Sequence, residues 1–160
     1  MEVRRLRADE AERLRALRLR ALADAPWAFG SWHARELEHG SDLWEARARQ
    51  DGEVVYVAAD GDALVGMAGG FCPEEGVVML WGMWVAAEAR GRGLGRALVE
   101  SVIGWARERG AATLRLEVTD TGPAQPAAAL YRSLGFEPNG ERSRLDSDPS
   151  LETILMTRSP

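Results

Sequence analysis

The sequence predicts one α/β domain over residues 1–160, built on a mixed, mostly antiparallel sheet with flanking helices. Three observations predict it. Three strand-length apolar runs follow one another across short turns between Val54 and Val85, the pattern of an antiparallel meander. Apolar residues then switch to helical spacing at Leu94, Leu98, Val102 and Trp105,. A further apolar run at Thr113–Val118 makes strand–helix–strand, the mark of a parallel crossover,.

Each element follows from its local chemistry. Val3–Arg7 reads as a first strand. A helix from about Asp9 to Asp24 carries an apolar stripe at Leu14, Leu17, Ala21 and Leu22, with arginines on the other face,. Pro26 ends it. Trp27, Phe29 and Gly30 form an aromatic loop, and Ser31 is placed to cap a second helical region reaching about Arg49,. Asp51-Gly52 is a turn. The meander is Val54–Ala59, Ala63–Phe71 and Val77–Val85, joined at Asp60-Gly61-Asp62 and at Pro73–Gly76,. Within the last strand Trp81 and Trp84 differ in parity and are expected on opposite faces. Gly110 closes the long helix as its C′ residue. Pro126 opens another helix at N1, which carries Leu130, Tyr131 and Leu134 and stops at Gly135,. Phe136–Leu145 and Leu151–Thr157 close the sheet as a hairpin. The order is strand, two helices, three strands, helix, strand, helix, two strands, with no repeat or linker.

Composition excludes several functions. The 160 residues fit one domain, and 46% are hydrophobic, enough for a core without disulfide or metal,. Cys72 is the only cysteine, which suits a cytoplasmic setting,. His33 and His39 have no partners at a metal-binding spacing, so no metal is expected,. The net charge of −5 argues against a nucleic-acid partner,. Residues Met1–Arg7 have no apolar core of a signal peptide, and no apolar run approaches the roughly 18 residues of a membrane span. All the basic charge is arginine; the chain contains no lysine to modify. A homodimer is compatible with the sequence.

The run Arg90-Gly91-Arg92-Gly93-Leu94-Gly95 lies between a strand and a helix. Glycines there permit a tight turn and close approach of a ligand. The helix start offers unpaired N–H groups and the positive end of the dipole. Together they make a phosphate cradle, with Arg90, Arg92 and Arg96 adding charge. A P-loop would need Gly-Lys-Ser/Thr. A dinucleotide fingerprint would end in Gly or Ala, where this chain has Arg96 or Leu98,. Glu117 does lie where a ribose-binding acid is expected, yet such a motif belongs on a first strand and here three strands precede it.

Val85-x4-Arg90-Gly91-x-Gly93-x-Gly95 before an amphipathic helix resembles motif A of the GCN5-related N-acetyltransferase (GNAT) family. Ala128-Ala129-Leu130-Tyr131-Arg132-Ser133-Leu134-Gly135-Phe136 resembles the family's A-x-x-L-Y-x-x-L-G-F segment. The two stand in the expected order, one strand apart. The resemblance implies a sheet whose central pair of strands splays and an acetyl-CoA cosubstrate in the splay. It implies pantetheine pairing with Met83, Trp84 and Val85, and pyrophosphate bound by N–H groups from Arg90 through Gly91, Arg92, Gly93, Leu94 and Gly95 to Arg96. It also implies direct acetyl transfer to a primary amine. A backbone N–H near Met83–Val85 would meet the oxyanion, and Tyr131 would protonate the leaving thiolate, since a phenol of pKa ~10 is protonated near neutrality.

The base that deprotonates the amine is left open: Glu117 and Asp120 are candidates, Glu36 and Glu88 weaker ones, and a water chain equally serves. The family's asparagine before the tyrosine helix is missing from Thr119–Pro126, with Gln125 or a backbone group as the substitute contact. Trp27, Phe29 and Trp32 cluster where the family borders its acceptor pocket, either lining it or packing on the sheet. The expected acceptor is a small-molecule amine; a protein or peptide acceptor and a non-catalytic acyl-CoA sensor are the alternatives.

Overall fold

A computed structural model describes residues 1–29, 40–50 and 52–160. Its seven strands form one sheet in the order β1-β2-β3-β4-β5-β7-β6. These are β1 (Glu2–Arg5), β2 (Glu53–Asp60), β3 (Ala63–Glu74), β4 (Val77–Val85), β5 (Thr113–Thr119), β6 (Glu137–Leu145) and β7 (Asp148–Arg158). The described α-helices are α1 (Ala11–Asp24), α2 (Ser41–Arg49), α3 (Leu94–Glu108) and α4 (Gln125–Ser133). The expected element order therefore holds, with shifted ends. β1 stops two residues early, β3 runs through the expected turn to Glu74, and β7 starts at Asp148. The expected cap Ser31 lies outside the described residues, as do Gly30 and Asp51.

All neighbouring strands pair antiparallel except β4 and β5, which are parallel. That exception is the crossover through α3. α3 covers one face of the meander by burying Leu94, Leu98, Val102 and Trp105. β3 accommodates it with small residues: a Cβ at Gly70 would sit 3.1 Å from Val102, and one at Gly66 3.2 Å from Leu98. α1 and α2 cover the opposite face. α1 buries Leu14, Leu17, Ala21 and Leu22 as expected. It also buries Arg18, which the reading of arginines on an outer face does not foresee. Arg18 is four residues after Leu14 and four before Leu22, so it falls inside the apolar stripe,.

Two features shape the middle of the sheet. The β4–β5 ladder contains only Val77↔Thr113, Val78↔Leu114 and Met79↔Arg115. Past that point β4 continues to Val85 against β3, and β5 to Thr119 against β7. The two strands part, leaving a gap with β4's outer edge unpaired. The second feature is a bulge in β4. Met67 pairs with Trp84 and Gly69 with Trp81, so three steps on β4 match two on β3. Gly82 lies in the bulge at φ +66°, a conformation that favours glycine,. The bulge corrects the expectation for the tryptophans. One extra residue reverses parity, and both point to the α1 face. There Arg18 lies over the Trp81 ring at 5.6 Å and Arg20 over Trp84 at 5.6 Å.

Candidate functional site

The gap between β4 and β5 joins two cavities. The loop-side cavity, about 490 Å³, is walled by Met83, Trp84 and Val85 of β4, by Arg90, Gly91, Gly93, Leu94 and Gly95 of the loop, and by Pro123, Pro126, Ala127 and Leu130 around the start of α4. The hairpin-side cavity, about 330 Å³, is walled by Arg18, Phe29, Trp81, Gly82, Glu117 and the β6–β7 hairpin. A neck of about 60 Å³ between them is lined by Trp27, Met83, Glu117 and Tyr131.

The glycine loop starts α3 in an unusual way. Gly91 and Gly93 both have φ +77°, and Gly93 is the N-cap of α3 without a side-chain cap. Among the described residues nothing lies within 4 Å of a Cβ built at either position. Backbone conformation, not internal crowding, is what demands glycine there. The first intrahelical bond runs from Ala97 N–H to the Gly93 carbonyl, 3.1 Å. The N–H groups of Leu94, Gly95 and Arg96 therefore belong to the open first turn. Gly95 is different: its Cβ would meet Leu130 at 3.3 Å, so it sets how closely α4 approaches.

The arginines around this loop are not equivalent. Arg90 donates through Nε to the Val85 carbonyl and through Nη2 to Asp24, each at 2.9 Å. Arg96 donates to Ser133 Oγ at 2.8 Å and faces Glu100 at 3.5 Å. Arg92 reaches the Met1 sulfur at 3.7 Å. Of the three, only Arg90 lines the loop-side cavity. The expected rank of three cations thus reduces to one side chain plus backbone. Asp24 is a residue the sequence reading missed. It ends α1, accepts from the Trp84 indole at 2.9 Å as well as from Arg90, and the Trp84 and then Arg90 bonds hold its carboxyl below the usual range. It has no local sequence signal, because its partners lie on β4 and the loop. Gln125 is exposed at the first position of α4 and is not part of the cavity wall; Pro123 and Pro126 occupy that place instead.

Tyr131 sits at the neck. It is 6% exposed, packs edge-on against Phe136 at 6.0 Å, and burial pushes its phenol above the ordinary value. A phenol so placed is a proton donor throughout the neutral range. Glu117 lines both the neck and the hairpin-side cavity, and its carboxylate has no hydrogen-bond or ion-pair partner among the described residues. The other carboxylates are engaged elsewhere. Asp120 pairs with Arg142 at 2.6 Å, and Glu88 with Arg20 at 2.6 Å. Glu36 lies outside the described residues.

On the aromatic side, Phe29 is buried in the hairpin-side wall and Trp27 lines the neck and the loop-side cavity. Their loop is pinned at two points. Thr119 Oγ1 donates to the Trp27 carbonyl at 2.7 Å, and Ser147 Oγ to the Phe29 carbonyl at 2.8 Å. Trp32 lies outside the described residues, as do His33 and His39. Among the described residues no group of three or more His, Cys, Asp and Glu side chains could hold a metal. No helix among them is long and apolar enough to cross a membrane.

The sequence matches the family model described as the acetyltransferase (GNAT) family over residues 17–136. N-acetyltransferase 8 of Homo sapiens is 31% identical over 107 residues, 63% of this chain and 46% of that protein. Streptothricin acetyltransferase of Streptomyces lavendulae is 36% identical over 97 residues, 61% of this chain and 50% of that protein. The chain thus spans about half the length of the curated relatives it matches. Among solved structures, the ribosomal-protein-alanine N-acetyltransferase of Brucella melitensis superposes over 100% of both chains with a TM-score of 0.78 and 25% identity.

Proposed function

The chain belongs to the GNAT acetyltransferase family, and from that premise we propose that it transfers an acetyl group from acetyl-CoA to the primary amine of a small molecule. One observation carries the proposal: the parted strands β4 and β5 join a cavity at a helix start to a second, differently lined cavity through a neck holding Tyr131.

The residues present fit acetyl-CoA. The open first turn of α3 suits a diphosphate, and the unpaired edge of β4 at Met83–Val85 suits an extended chain that adds as a strand would. Acetyl-CoA, when bound, supplies the thioester whose carbonyl carbon the amine attacks. Glu117, or water it orients, takes the ammonium proton so that the amine lone pair is free. A β4 N–H at the gap donates to the carbonyl oxygen as charge builds there. The carbon–nitrogen bond forms, the carbon–sulfur bond breaks, Tyr131 gives its proton to the departing sulfur, and the surplus proton of the acylated nitrogen passes through water to restore the phenol. Burial keeps the phenol's proton in place until it is needed. Asp24 holds Arg90 and Trp84 at the mouth of the loop-side cavity.

A peptide N-terminus is the second reading, favoured by the full-length likeness to an enzyme named for a ribosomal-protein alanine. The hairpin-side cavity of about 330 Å³ supports the small-molecule reading over it, since that volume lies at the low end of small-molecule sites,. The test is a thermal-shift titration with acetyl-CoA followed by a thiol-release assay against a panel of amines and N-terminal peptides. Acetyl-CoA-dependent stabilisation with turnover of small amines is the expected result. Turnover of peptides alone would move the assignment to the second reading, and stabilisation without any turnover would favour an acyl-CoA sensor.

A further inference from the structure

Resting on the transferase reading, we infer that the acceptor is a hydroxylated amine, an amino alcohol or a single amino sugar, whose hydroxyl is read by Thr153 while its amine meets Glu117. Thr153 lies in β7 and is 1% exposed, yet its Oγ1 has no hydrogen-bond partner among the described residues. A buried hydroxyl left unpaired destabilises a fold, and an apolar group of the same shape would avoid that cost. Such a group in a core calls for a use. Thr153 pairs with Thr119 of β5 on one side and with Ser143 of β6 on the other. Residues directly opposite in antiparallel strands share a face, with Cβ atoms about 4.5–5.5 Å apart. Three hydroxyl side chains therefore stand in a row across β5, β7 and β6. All three line the hairpin-side cavity, so the row is part of its floor.

The protons in that row are not equivalent. Cross-strand threonines commonly bond to each other. Thr119 instead gives its proton to the Trp27 carbonyl at 2.7 Å. Toward the cavity it offers lone pairs alone, whereas Thr153 has both a proton and lone pairs to offer. One ligand atom that accepts from Thr153 and donates to Thr119 satisfies both. An alcohol oxygen does this. A carbonyl or carboxylate oxygen only accepts, and an ammonium only donates. Glu117 stands two residues before Thr119 on β5, on the same face, and lines the neck as well as the cavity,. It lies diagonally from Thr153, a spacing of roughly 7–8 Å in such a sheet,. An amine at Glu117 and a hydroxyl between Thr119 and Thr153 are then a few carbons apart in one molecule. The cavity, about 330 Å³, takes a molecule of that size or a single sugar ring,.

The experiment compares matched acceptors with acetyl-CoA saturating. Ethanolamine, serinol, aminopropanol, aminobutanol and glucosamine are each assayed beside their O-methyl ethers by thiol release. The ether keeps the amine, its basicity and the oxygen, and loses only the hydroxyl proton. At least one alcohol is expected to exceed its ether about 10-fold in kcat/KM. Thr153→Val should bring that ratio within about 2-fold, and Thr153→Ser, which keeps the hydroxyl, should preserve it. The ratio is internal to each protein, so partial unfolding of a variant leaves it readable, and the wild-type ratio stands without either variant. Without ligand, the Tm of Thr153→Val should equal or exceed that of wild type, since an unpaired hydroxyl has been removed. A lower Tm would show that the fold itself uses the hydroxyl, and would overturn the inference. Ethers used as well as alcohols, a preference that survives Thr153→Val or is lost in Thr153→Ser, or no amino alcohol used by a protein that binds acetyl-CoA would each overturn it too and leave the transferase reading in place. Absence of acetyl-CoA binding in a thermal shift would instead remove the transferase reading beneath it.

Discussion

The loop-side and hairpin-side cavities share one gap in the sheet, yet they are built in opposite ways. The loop-side wall comes largely from one continuous stretch, the end of β4 through the start of α3, and it presents backbone. The hairpin-side wall gathers α1, the turn after it, β4, β5 and the β6–β7 hairpin, and it presents side chains. A ligand shared across a family can be held by groups that every residue carries. A ligand peculiar to one protein must be chosen by side chains brought from separate places. Variants on each side are therefore expected to act on different kinetic constants.

The largest effect is expected where the two sides meet. Tyr131→Phe keeps the ring that packs on Phe136 and deletes only the donor. We expect kcat to fall about 100-fold, the lower range for loss of a general acid, with acetyl-CoA affinity and acceptor KM both within about 2-fold. Single-turnover assays with isothermal titration of acetyl-CoA check this; unchanged kcat would take Tyr131 out of the chemistry. Because burial raises the phenol's pKa, its protonated form persists through the ordinary tyrosine range. The wild-type kcat profile should then show no descending limb below about pH 10.

Next is a test confined to the hairpin side. The Trp81 indole lies on Gly69, where a Cβ would come within 2.3 Å of the ring. Gly69→Ala must push Trp81 toward the cavity, an overpacking of about 2 kcal/mol. Acceptor kcat/KM should drop about 30-fold, as that energy implies, with acetyl-CoA affinity intact. Equal loss on both sides would show that the cavities are not separable.

How much of this was legible in the sequence follows the same division. The glycine loop and the Tyr131 segment are contiguous, so spacing alone locates them, and the helix and strand order follows from hydrophobic period. Side-chain destinations are another matter. Arg92 and Arg96 read as loop cations, yet Ser133, Glu100 and Met1 draw them away. Trp81 and Trp84 read as opposed until the bulge at Gly82 turns both to α1. A lone glycine inside a strand was the available signal for that bulge. Arg18 within the stripe Leu14, Leu17, Ala21 and Leu22 was a second unused signal, since a charge at a core position needs a reason. Asp24 had none, because three elements must come together before its partners exist.

A smaller effect, on the loop side alone, is expected of Gly93→Ala. Space is no obstacle there, but alanine at φ +77° carries a left-handed penalty of about 1–2 kcal/mol,. The first turn of α3 should shift to relieve it. Acetyl-CoA Kd should rise about 10-fold, the equivalent of 1.4 kcal/mol, and acceptor KM should stay within about 2-fold. A change in acceptor KM with unaltered acetyl-CoA Kd would reverse the roles assigned to the two cavities.

The smallest effect on either cavity is expected at Glu10, although it matters to the helix both share. α1 carries Arg18 on one side and Asp24 on the other, and Glu10 ties its start to β1. Glu10 is 3% exposed, accepts from Arg4 at 2.8 and 2.9 Å and from the Arg7 N–H at 2.8 Å. The Arg4 bond is the main cause that brings its pKa down from 4.5 to about 2. A depressed carboxylate stabilises the fold above its unfolded pKa and loses that contribution as pH falls through the folded one. Tm should therefore decline between pH about 4.5 and about 2 in wild type. Glu10→Gln should flatten that decline and lower Tm at neutral pH by roughly 4–8 °C, for about 2 kcal/mol of charge-assisted bonding lost. Calorimetry across pH measures both. If the anchor serves α1 as a whole, acetyl-CoA Kd and acceptor KM should move together or not at all. A shift in one alone would mean that the two ends of α1 report on their cavities independently, and that the shared helix does not couple them.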